Sequence, residues 1–288
     1  MTDRPDTSHT ALSWRPWRHG GIEYRVNPVV AQQLELGHDR AALVPFLERL
    51  LTAESTPIQT LKDDPNRSVV RHVAVDGRHY VIKRYRVPRW KTWLLYRLRQ
   101  SPTWREWYGA LRLVRAHRRV SAPLAIVHQP ARGREAQVLI LPYIEGRALE
   151  RMIQDGAANH PWRESYRHKR LDLARIVGTQ IGRLLTAGIV NRDHKLSNLI
   201  MDRACQEHGD EPVIIDPLGL RRRRSDRQVY RMLVMLLRTS ERAGPVTTRE
   251  CMTCLKAVLK TDPSLARHEP RRLRAVARHI LAMRERGG

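Results

Sequence analysis

The sequence predicts an α+β fold of two lobes, in which a small β-rich N-terminal lobe with one main helix precedes a larger α-helical lobe. Short apolar runs separated by turn residues occupy the region from 58 to 85, and this spacing is typical of antiparallel strands. After residue 146 the apolar residues recur mainly at helical spacing. The 288 residues, 41% of them hydrophobic, suffice for one large domain or for two lobes that share a cleft.

The N-terminal residues 1–54 are expected to form an extension that contains a short helix. Residues 1–20 are polar and carry Trp14 and Trp17, so we expect a flexible lead there. Apolar residues recur at helical spacing from Asp39 to Glu54, with Pro45 in the early part. The N-lobe is then expected over residues 55–142 and the C-lobe over residues 143–288.

The N-lobe is expected to begin with an antiparallel meander. Its predicted strands run from Ile58 to Lys62, from Val69 to Val75 and from His79 to Tyr85, and the third strand bears Lys83. Asp76-Gly77 predicts the hairpin turn between the second and third strands, because type I′ turns require positive φ at both central positions.

One helix and two further strands are expected to complete the N-lobe. The segment from Ser101 to Arg119 has apolar residues at helical spacing, and Pro102 is suited to its first turn. The strands are predicted from Ala122 to His128 and from Gln137 to Leu141. Residues Pro142 to Gly146 are predicted to link the lobes, and a cleft between lobes is a usual place for a ligand.

The C-lobe is expected to be mostly helical. Leu173, Val177, Ile181 and Leu184 mark one amphipathic helix that ends at Gly188. Two short apolar runs follow, at 199–201 and 213–215, and the chain from about residue 228 onward is helical and basic.

The chain carries a large excess of positive charge, with 53 Lys and Arg residues against 29 Asp and Glu residues and a formal net charge of +24. This excess indicates an anionic partner, such as nucleic acid, a phosphorylated glycan or a membrane surface. A genome that favours arginine codons is the alternative explanation. The run from Arg221 to Arg224 is either a solvated charge run or a substrate contact. No nucleic-acid-binding motif accompanies the charge, so nucleic acid is not the expected partner.

Cysteine usage and the N-terminus bear on location. The three cysteines, Cys205, Cys251 and Cys254, do not suit a disulfide framework and favour a reducing compartment. Cys251 and Cys254 form a single CxxC pair, which is a weak metal signal because zinc normally takes four ligands. The N-terminus lacks the apolar core of a secretory signal, and no stretch approaches the roughly 18 apolar residues of a membrane span. A cytoplasmic protein is therefore expected.

The residues that carry chemistry lie in a segment that reads NRDHKLSNLI and in the apolar run that follows it. Asp193, Lys195 and Asn198 occur in the first, and Asp216 ends the second. In phosphoryl transfer a carboxylate orients the acceptor hydroxyl, which suits Asp193, and a lysine neutralises the transferring phosphate, which suits Lys195. Magnesium prefers oxygen ligands, which Asn198 and Asp216 offer. An ordinary polar turn is the competing interpretation.

Two residues upstream complete this set. Lys83 on the third strand suits the nucleotide phosphates, and Glu106, early on the main helix, suits the task of holding that lysine. A solvated helix residue that pairs with Arg112 or a neighbour is the competing interpretation of Glu106.

The order of strand lysine, helix glutamate, R-D-x-K-x-x-N and strand aspartate resembles the protein-kinase-like superfamily. Within it, LKDDPNRSVVRHVAVDGRHYVIKRY, TWREWYGALRL and NRDHKLSNLI are most similar to the bacterial lipopolysaccharide kinase family, over about residues 56 to 220. The resemblance implies a bilobal kinase-like fold and the cofactors ATP and Mg²⁺. It also implies adenine binding to the linker backbone near Leu141 and Tyr143, with Lys83, Glu106, Asn198 and Asp216 also serving the nucleotide.

The resemblance further implies which hydroxyl group is phosphorylated and where in the cell the protein acts. The acceptor would be a Kdo or heptose hydroxyl of the lipopolysaccharide core, an anionic glycolipid or phosphorylated sugar. The protein would be cytoplasmic, with peripheral contact at the cytoplasmic face of the inner membrane. The basic and aromatic stretch from Arg89 to Arg99 either makes that contact or packs on the N-lobe.

The sequence departs from the kinase pattern at several positions. Asn191 replaces the usual histidine, His194 replaces an apolar residue, and the metal-binding triplet reads Asp216-Pro217-Leu218 with Gly219 one place late. The segment from 62 to 68 stands where a phosphate-binding loop would be and contains no glycine. A kinase-like protein without catalysis, which acts as a nucleotide-binding protein or scaffold, and a Ser/Thr protein kinase therefore remain alternatives.

Overall fold

The structure is a computed structural model, and it describes residues 16–36, 40–65, 68–86, 98–129, 136–159, 164–223 and 225–268. Contacts within the chain divide it into two compact units. The first comprises residues 1–105 and 122–143, and the second comprises residues 106–121 and 144–288.

An antiparallel sheet forms the centre of the first unit. Among the described residues, seven strands pair in the order β1-β2-β6-β7-β5-β4-β3. The strands are β1 (Trp17–His19), β2 (Ile22–Val26), β3 (Gln59–Asp64), β4 (Ser68–Val75), β5 (Arg78–Arg86), β6 (Ala125–Gln129) and β7 (Ala136–Pro142). Helices α1 (Pro28–Gln33) and α2 (Arg40–Ala53) precede β3. Leu47 of α2 and Tyr80 of β5 are both fully buried in the shared apolar core.

The N-terminal segment holds more structure than the single helix predicted for residues 1–54. Strand β2 pairs with β6, so this segment is part of the sheet. The ring of Trp17 stacks on that of Tyr24 with centroids 5.9 Å apart. Helix α1 begins after Asn27, whose side chain accepts hydrogen bonds from the N–H groups of Val29 and Val30. The helix predicted from Asp39 to Glu54 corresponds to α2 (Arg40–Ala53). Its predicted first residue, Asp39, lies outside the described residues.

The predicted meander is confirmed, with strand ends shifted by one or two residues. Asp76 and Gly77 have φ of 53° and 72°, as the hairpin turn requires. The segment from 62 to 68 differs from the loop that was expected. Asp64 is paired with Ser68, so the ladder continues almost to the turn and only residues 65–67 connect the two strands.

Helix α3 (Pro102–Arg115) is the predicted main helix, and the boundary between the two units falls within it, after Arg105. The helices of the second unit are α4 (Leu149–Asn159), α5 (Glu164–Thr186), α6 (Arg203–His208), α7 (Asp226–Ala243), α8 (Thr248–Thr261) and α9 (Pro263–His268). Its strands are β8 (Gly146–Ala148), β9 (Ile189–Asn191), β10 (Leu199–Asp202), β11 (Val213–Ile214) and β12 (Leu220–Arg222).

Short antiparallel ladders between helices organise the second unit. Strand β10 pairs with β8 and β11, and β12 pairs with β9. The sequence analysis identified the apolar runs of β10 and β11 but missed β8, β9 and β12. These three strands have three residues each, which is too short for a period of two to be recognised.

Close helix packing stabilises the second unit. Helices α5 and α8 approach at Gly178 and Gly182, where a Cβ on Gly182 would lie 2.5 Å from Cβ of Thr261. No helix within the described ranges is long and apolar enough to cross a membrane. Most of the stretch from Arg89 to Arg99 lies outside the described residues. The predicted α+β class is confirmed.

Candidate active site

The loop between β9 and β10 brings three predicted site residues together. The Nζ atom of Lys195 lies 2.6 Å from Oδ1 of Asp193, and the two side chains are 38% and 32% exposed. The side-chain amide of Asn198 donates to the backbone carbonyl of Asp193 over 3.0 Å. The backbone N–H of Asp193 donates to Oδ1 of Asn191 over 3.1 Å. The segment is thus a closed, hydrogen-bonded loop.

The predicted metal ligands, Asn198 and Asp216, are placed by the pairing of β10 with β11. Leu199 lies opposite Ile214, and the N–H of Ile215 donates to the carbonyl of Asn198 over 3.1 Å. The Nδ2 group of Asn198 is committed to Asp193, which leaves its Oδ1 as an acceptor of the kind that magnesium prefers. Asp216 is half-buried and adds a carboxylate.

This donor set fits a magnesium ion that is shared with phosphate. No group of three acidic, histidine or cysteine side chains suited to a metal occurs in the described part of the chain. Magnesium is usually held by one or two protein oxygens plus substrate phosphates and waters. Asn198 and Asp216 match that pattern, whereas a site for zinc would need more protein ligands.

Gly219 explains one departure from the kinase pattern. A Cβ at this residue would lie 2.7 Å from Oδ1 of Asn191 and 2.7 Å from the backbone nitrogen of Asp193. The N–H of Arg192 donates to the carbonyl of Gly219 over 3.1 Å. The glycine is therefore required by its close approach to the loop that carries Asp193. Asn191, in place of the usual histidine, is fully buried and accepts the Asp193 N–H.

His194 is the second departure and lies beneath the loop. Its side chain is fully buried, and neither ring nitrogen has a hydrogen-bond partner among the described residues. Burial lowers the pKa of His194 from 6.5 to about 4. The imidazole is therefore neutral at pH 7, which favours a packing role over a role as proton carrier.

Two residues of the first unit that are predicted to bind the nucleotide, Lys83 and Leu141, lie on the neighbouring strands β5 and β7. Lys83 of β5 is opposite Val70 of β4 and Leu139 of β7. Leu141 is opposite Val81 and is almost fully buried. Directly opposed residues share one face of a sheet. Three residues of β5 (Arg78–Arg86) follow Lys83, so it lies within the strand.

A cluster of aromatic rings, which the sequence analysis did not identify, adjoins Tyr143. The ring of His72 stacks on that of Tyr143 with centroids 4.0 Å apart and an interplanar angle of 10°. Nε2 of His72 lies 2.9 Å from Nδ1 of His79. Burial, and secondarily the neighbouring His79, lower the pKa of His72. The N–H of Tyr143 donates to the His79 carbonyl over 3.0 Å, so this amide is already engaged.

Glu106 differs from the solvated helix residue that was one interpretation of it. Its exposure is 0% on α3, and a carboxylate is rarely buried without a partner. Burial of this kind is typical of a structural or catalytic ion pair.

Two arginines in the run from 221 to 224 make contacts within the protein, so the run is not simply solvated charge. Arg221 donates to the backbone carbonyl of Leu220 over 2.8 Å. The guanidinium of Arg223 lies 2.6 Å from the carboxylate of Asp262, with side chains 17% and 6% exposed. Arg222 is exposed, and nothing is described for Arg224.

The helical unit contains an apolar cavity of about 110 Å³. The side chain of Leu196, two residues before Asn198, forms part of its wall, together with several leucines of α7 and α8. Cys251 and Cys254 also line it, and burial raises the pKa of both thiols to about 12. The CxxC pair is therefore protonated at neutral pH and behaves as part of an apolar wall.

Comparison with known proteins rests on structure, because no family model and no curated protein match the chain. A solved structure of WaaP in complex with acyl carrier protein matches at 16% identity and a TM-score of 0.56, over 81% of this chain and 92% of that chain. The BubR1 kinase domain matches at 11% identity and a TM-score of 0.42, over 74% of this chain and 52% of that chain. The likeness to WaaP shows a shared fold, and the chain therefore has the protein-kinase-like fold that its resemblance to the lipopolysaccharide kinases implied.

Proposed function

We propose that this protein is an ATP- and Mg²⁺-dependent phosphotransferase that phosphorylates a hydroxyl group, the acceptor being a Kdo or heptose of the lipopolysaccharide core. The observation that carries the proposal is the closed arrangement of Asp193, Lys195 and Asn198. The ion pair with Lys195 holds the partly exposed carboxylate of Asp193, and the side chain of Asn198 holds the backbone carbonyl of the same residue.

Asp193 is the residue assigned to the acceptor. Its carboxylate orients the hydroxyl and takes its proton as the oxygen attacks the γ-phosphorus, while the bond from that phosphorus to the β,γ-bridging oxygen breaks and ADP leaves. Lys195, 2.6 Å away, places a positive charge beside the transferring group, whose negative charge is spread over several oxygens. Transition-state charge is thereby stabilised without a covalent intermediate.

Asn198 and Asp216 are assigned to the metal, and Lys83, Glu106, Leu141 and Tyr143 to the nucleotide. A magnesium ion held by these two residues would supply positive charge to the phosphate oxygens. Lys83 supplies a positive charge to the phosphates. The backbone near Leu141 and Tyr143 is assigned to the adenine base.

The charge and the resemblance to the lipopolysaccharide kinases support a lipopolysaccharide acceptor. That resemblance covers about residues 56 to 220 of the sequence. The net charge of +24 suits an anionic glycolipid in a membrane surface, to which each nearby basic residue adds about 1 kcal/mol of attraction. We accordingly place the protein in the cytoplasm, in peripheral contact with the inner membrane.

The test uses labelled ATP and Mg²⁺ with lipid A–core sugars, a generic protein substrate and water as acceptors. Label in the core sugars supports the proposal, and label in protein alone favours a Ser/Thr protein kinase. A chain that binds Mg-ATP but transfers to none of them would be a nucleotide-binding or scaffold protein. A chain that shows no binding at millimolar Mg-ATP would contradict the kinase proposal altogether.

A second partner is suggested by the cavity of the helical unit. WaaP forms a complex with acyl carrier protein, and the cavity of about 110 Å³ is lined mainly by apolar side chains. An acyl chain would bury apolar surface there, which is favourable by about 25 cal/mol per Å². Carrier protein with an acyl group should then bind about tenfold or more tightly than carrier protein without one, as measured by calorimetry. Equal affinities would remove the cavity from consideration.

A further inference from the structure

Gly109 lies inside α3 at a point of very close backbone contact. A Cβ at this residue would lie 2.3 Å from the carbonyl oxygen of Pro217 and 3.1 Å from both its carbonyl carbon and its Cβ. Glycine inside a helix costs about 1 kcal/mol relative to alanine. Helix propensity therefore favours alanine here, and only the approach of Pro217 excludes it.

Pro217 belongs to the segment from Asp216 to Gly219, and Asp216 is the carboxylate assigned to magnesium. Oδ1 of Asp216 accepts a hydrogen bond from the N–H of Leu218 over 3.4 Å. On the other side of the segment, a Cβ at Gly219 would lie 2.7 Å from the backbone nitrogen of Asp193. The segment is thus held between α3 and the loop that carries Asp193, with a glycine at each contact.

The chain that leaves α3 holds the same region at a second point. The N–H of Ile214 donates to the carbonyl of Arg119 over 3.1 Å, and the N–H of Ser121 donates to the carbonyl of Ile214 over 3.0 Å. The strand that leads into Asp216 and the segment that follows it are therefore both attached to α3 or to its continuation. All of these residues belong to one compact unit.

We propose that Gly109 is a positioning residue for the magnesium site. By lacking a side chain, it lets the Pro217 carbonyl lie against α3, and this packing fixes where Asp216 stands relative to Asn198. The segment from Asp216 to Gly219 then moves together with α3 and not independently of it. This inference rests on the proposed function, because it assigns Asp216 to magnesium.

The test measures Mg²⁺-dependent ATP binding by thermal shift and calorimetry in the parent and in Gly109→Ala. Residues that orient a metal ligand typically contribute 10- to 100-fold to metal affinity, so the Mg²⁺ concentration for half-maximal binding should rise by about tenfold or more. ATP binding without Mg²⁺ should stay within about twofold, because the phosphate-binding lysine is untouched.

Gly182→Ala is the matched control. A Cβ there would lie 2.5 Å from Cβ of Thr261, so the same methyl group is overpacked in the same unit, between α5 and α8. This control should lower the melting temperature and leave the Mg²⁺ dependence unchanged. Equal Mg²⁺ dependence in Gly109→Ala and the parent, or equal losses in both variants, would overturn the proposal.

Hydrogen exchange of the parent protein tests whether the segment around Asp216 packs on α3, even if Gly109→Ala does not fold. The amides of Ile214 and Leu218 should open together with those of α3, at the same free energy, because one packed body opens as one unit. Exchange of these two amides about tenfold or more faster than α3 would refute the attachment. A parent that shows no Mg²⁺-dependent ATP binding would instead refute the proposed function.

Discussion

Replacing the buried His194 by leucine should stabilise the protein, and more strongly at acid pH. The imidazole is fully buried, and its two nitrogens have no hydrogen-bond partner within the described residues. A buried polar group without a partner costs about 1–3 kcal/mol. A buried hydrophobic swap of similar volume costs less than about 1.5 kcal/mol. At pH 7.5 we therefore expect His194→Leu to be more stable than the parent by about 1 kcal/mol.

The pH dependence follows from the pKa of His194, which burial lowers from 6.5 to about 4. Below pH 6.5 the unfolded chain binds a proton at this residue that the folded chain does not bind. Stability is therefore present above pH 6.5 and is lost as the pH falls toward 4. One pKa unit corresponds to about 1.4 kcal/mol, so the full loss is about 3 kcal/mol, of which about 2 kcal/mol has occurred by pH 5.

Urea unfolding followed by far-ultraviolet circular dichroism at pH 7.5 and pH 5 measures this difference. The stability advantage of His194→Leu should grow by about 2 kcal/mol between the two values. His208→Leu is the control, because that side chain is 71% exposed and should show no such change. A variant that is less stable than the parent, by the same amount at both pH values, would show that His194 has a hydrogen-bond partner and refute the reasoning.

Three further predictions concern the active site and the arginine run. Asp193→Asn should lower turnover by about 10² or more with ATP affinity nearly unchanged, as steady-state kinetics and calorimetry will show; a fall of less than about fivefold would contradict the role of the carboxylate. Asp216→Asn should weaken ATP binding only when Mg²⁺ is present, and equal weakening without Mg²⁺ would exclude a metal role. Arg223→Gln should destabilise by about 3 kcal/mol in chemical denaturation, because it leaves the buried Asp262 unpaired, while Arg222→Gln should stay within about 0.5 kcal/mol. Comparable effects of the two arginine variants would mean that the Asp262 ion pair contributes little.

The arginine result also determines how the acceptor should be tested. Replacing the whole run from Arg221 to Arg224 would combine a loss of folding stability with any loss of substrate affinity, since Arg223 is paired in the interior. Arg222→Gln changes exposed charge alone. A rise in its Michaelis constant for the glycolipid, reduced at high salt, is the expected sign of an anionic acceptor.

Local patterns were sufficient to predict much of the fold. The strands around Asp76-Gly77 are adjacent in sequence, and their alternation and turn type are properties of a few consecutive residues. Strand β2 pairs with β6, about a hundred residues away, whereas β1 and β2 form a hairpin at Gly20-Gly21, which was a local signal that the sequence analysis did not use. The cap at Asn27, followed by Pro28, was a local signal for α1 that the sequence analysis did not use.

By itself, the sequence determined the kinase-like order of parts and the set formed by Asp193, Lys195 and Asn198. These three residues lie within six consecutive positions, so one short loop brings them together whatever surrounds it. Only the tertiary structure decided the environment of each group. The side chain of His194 is fully buried. Two contacts join residues that are distant in sequence, namely the pairing of Arg223 with Asp262 and the contact of Gly109 with Pro217. Solvent exclusion and backbone approach depend on all the elements packed around a residue, and no local pattern records them.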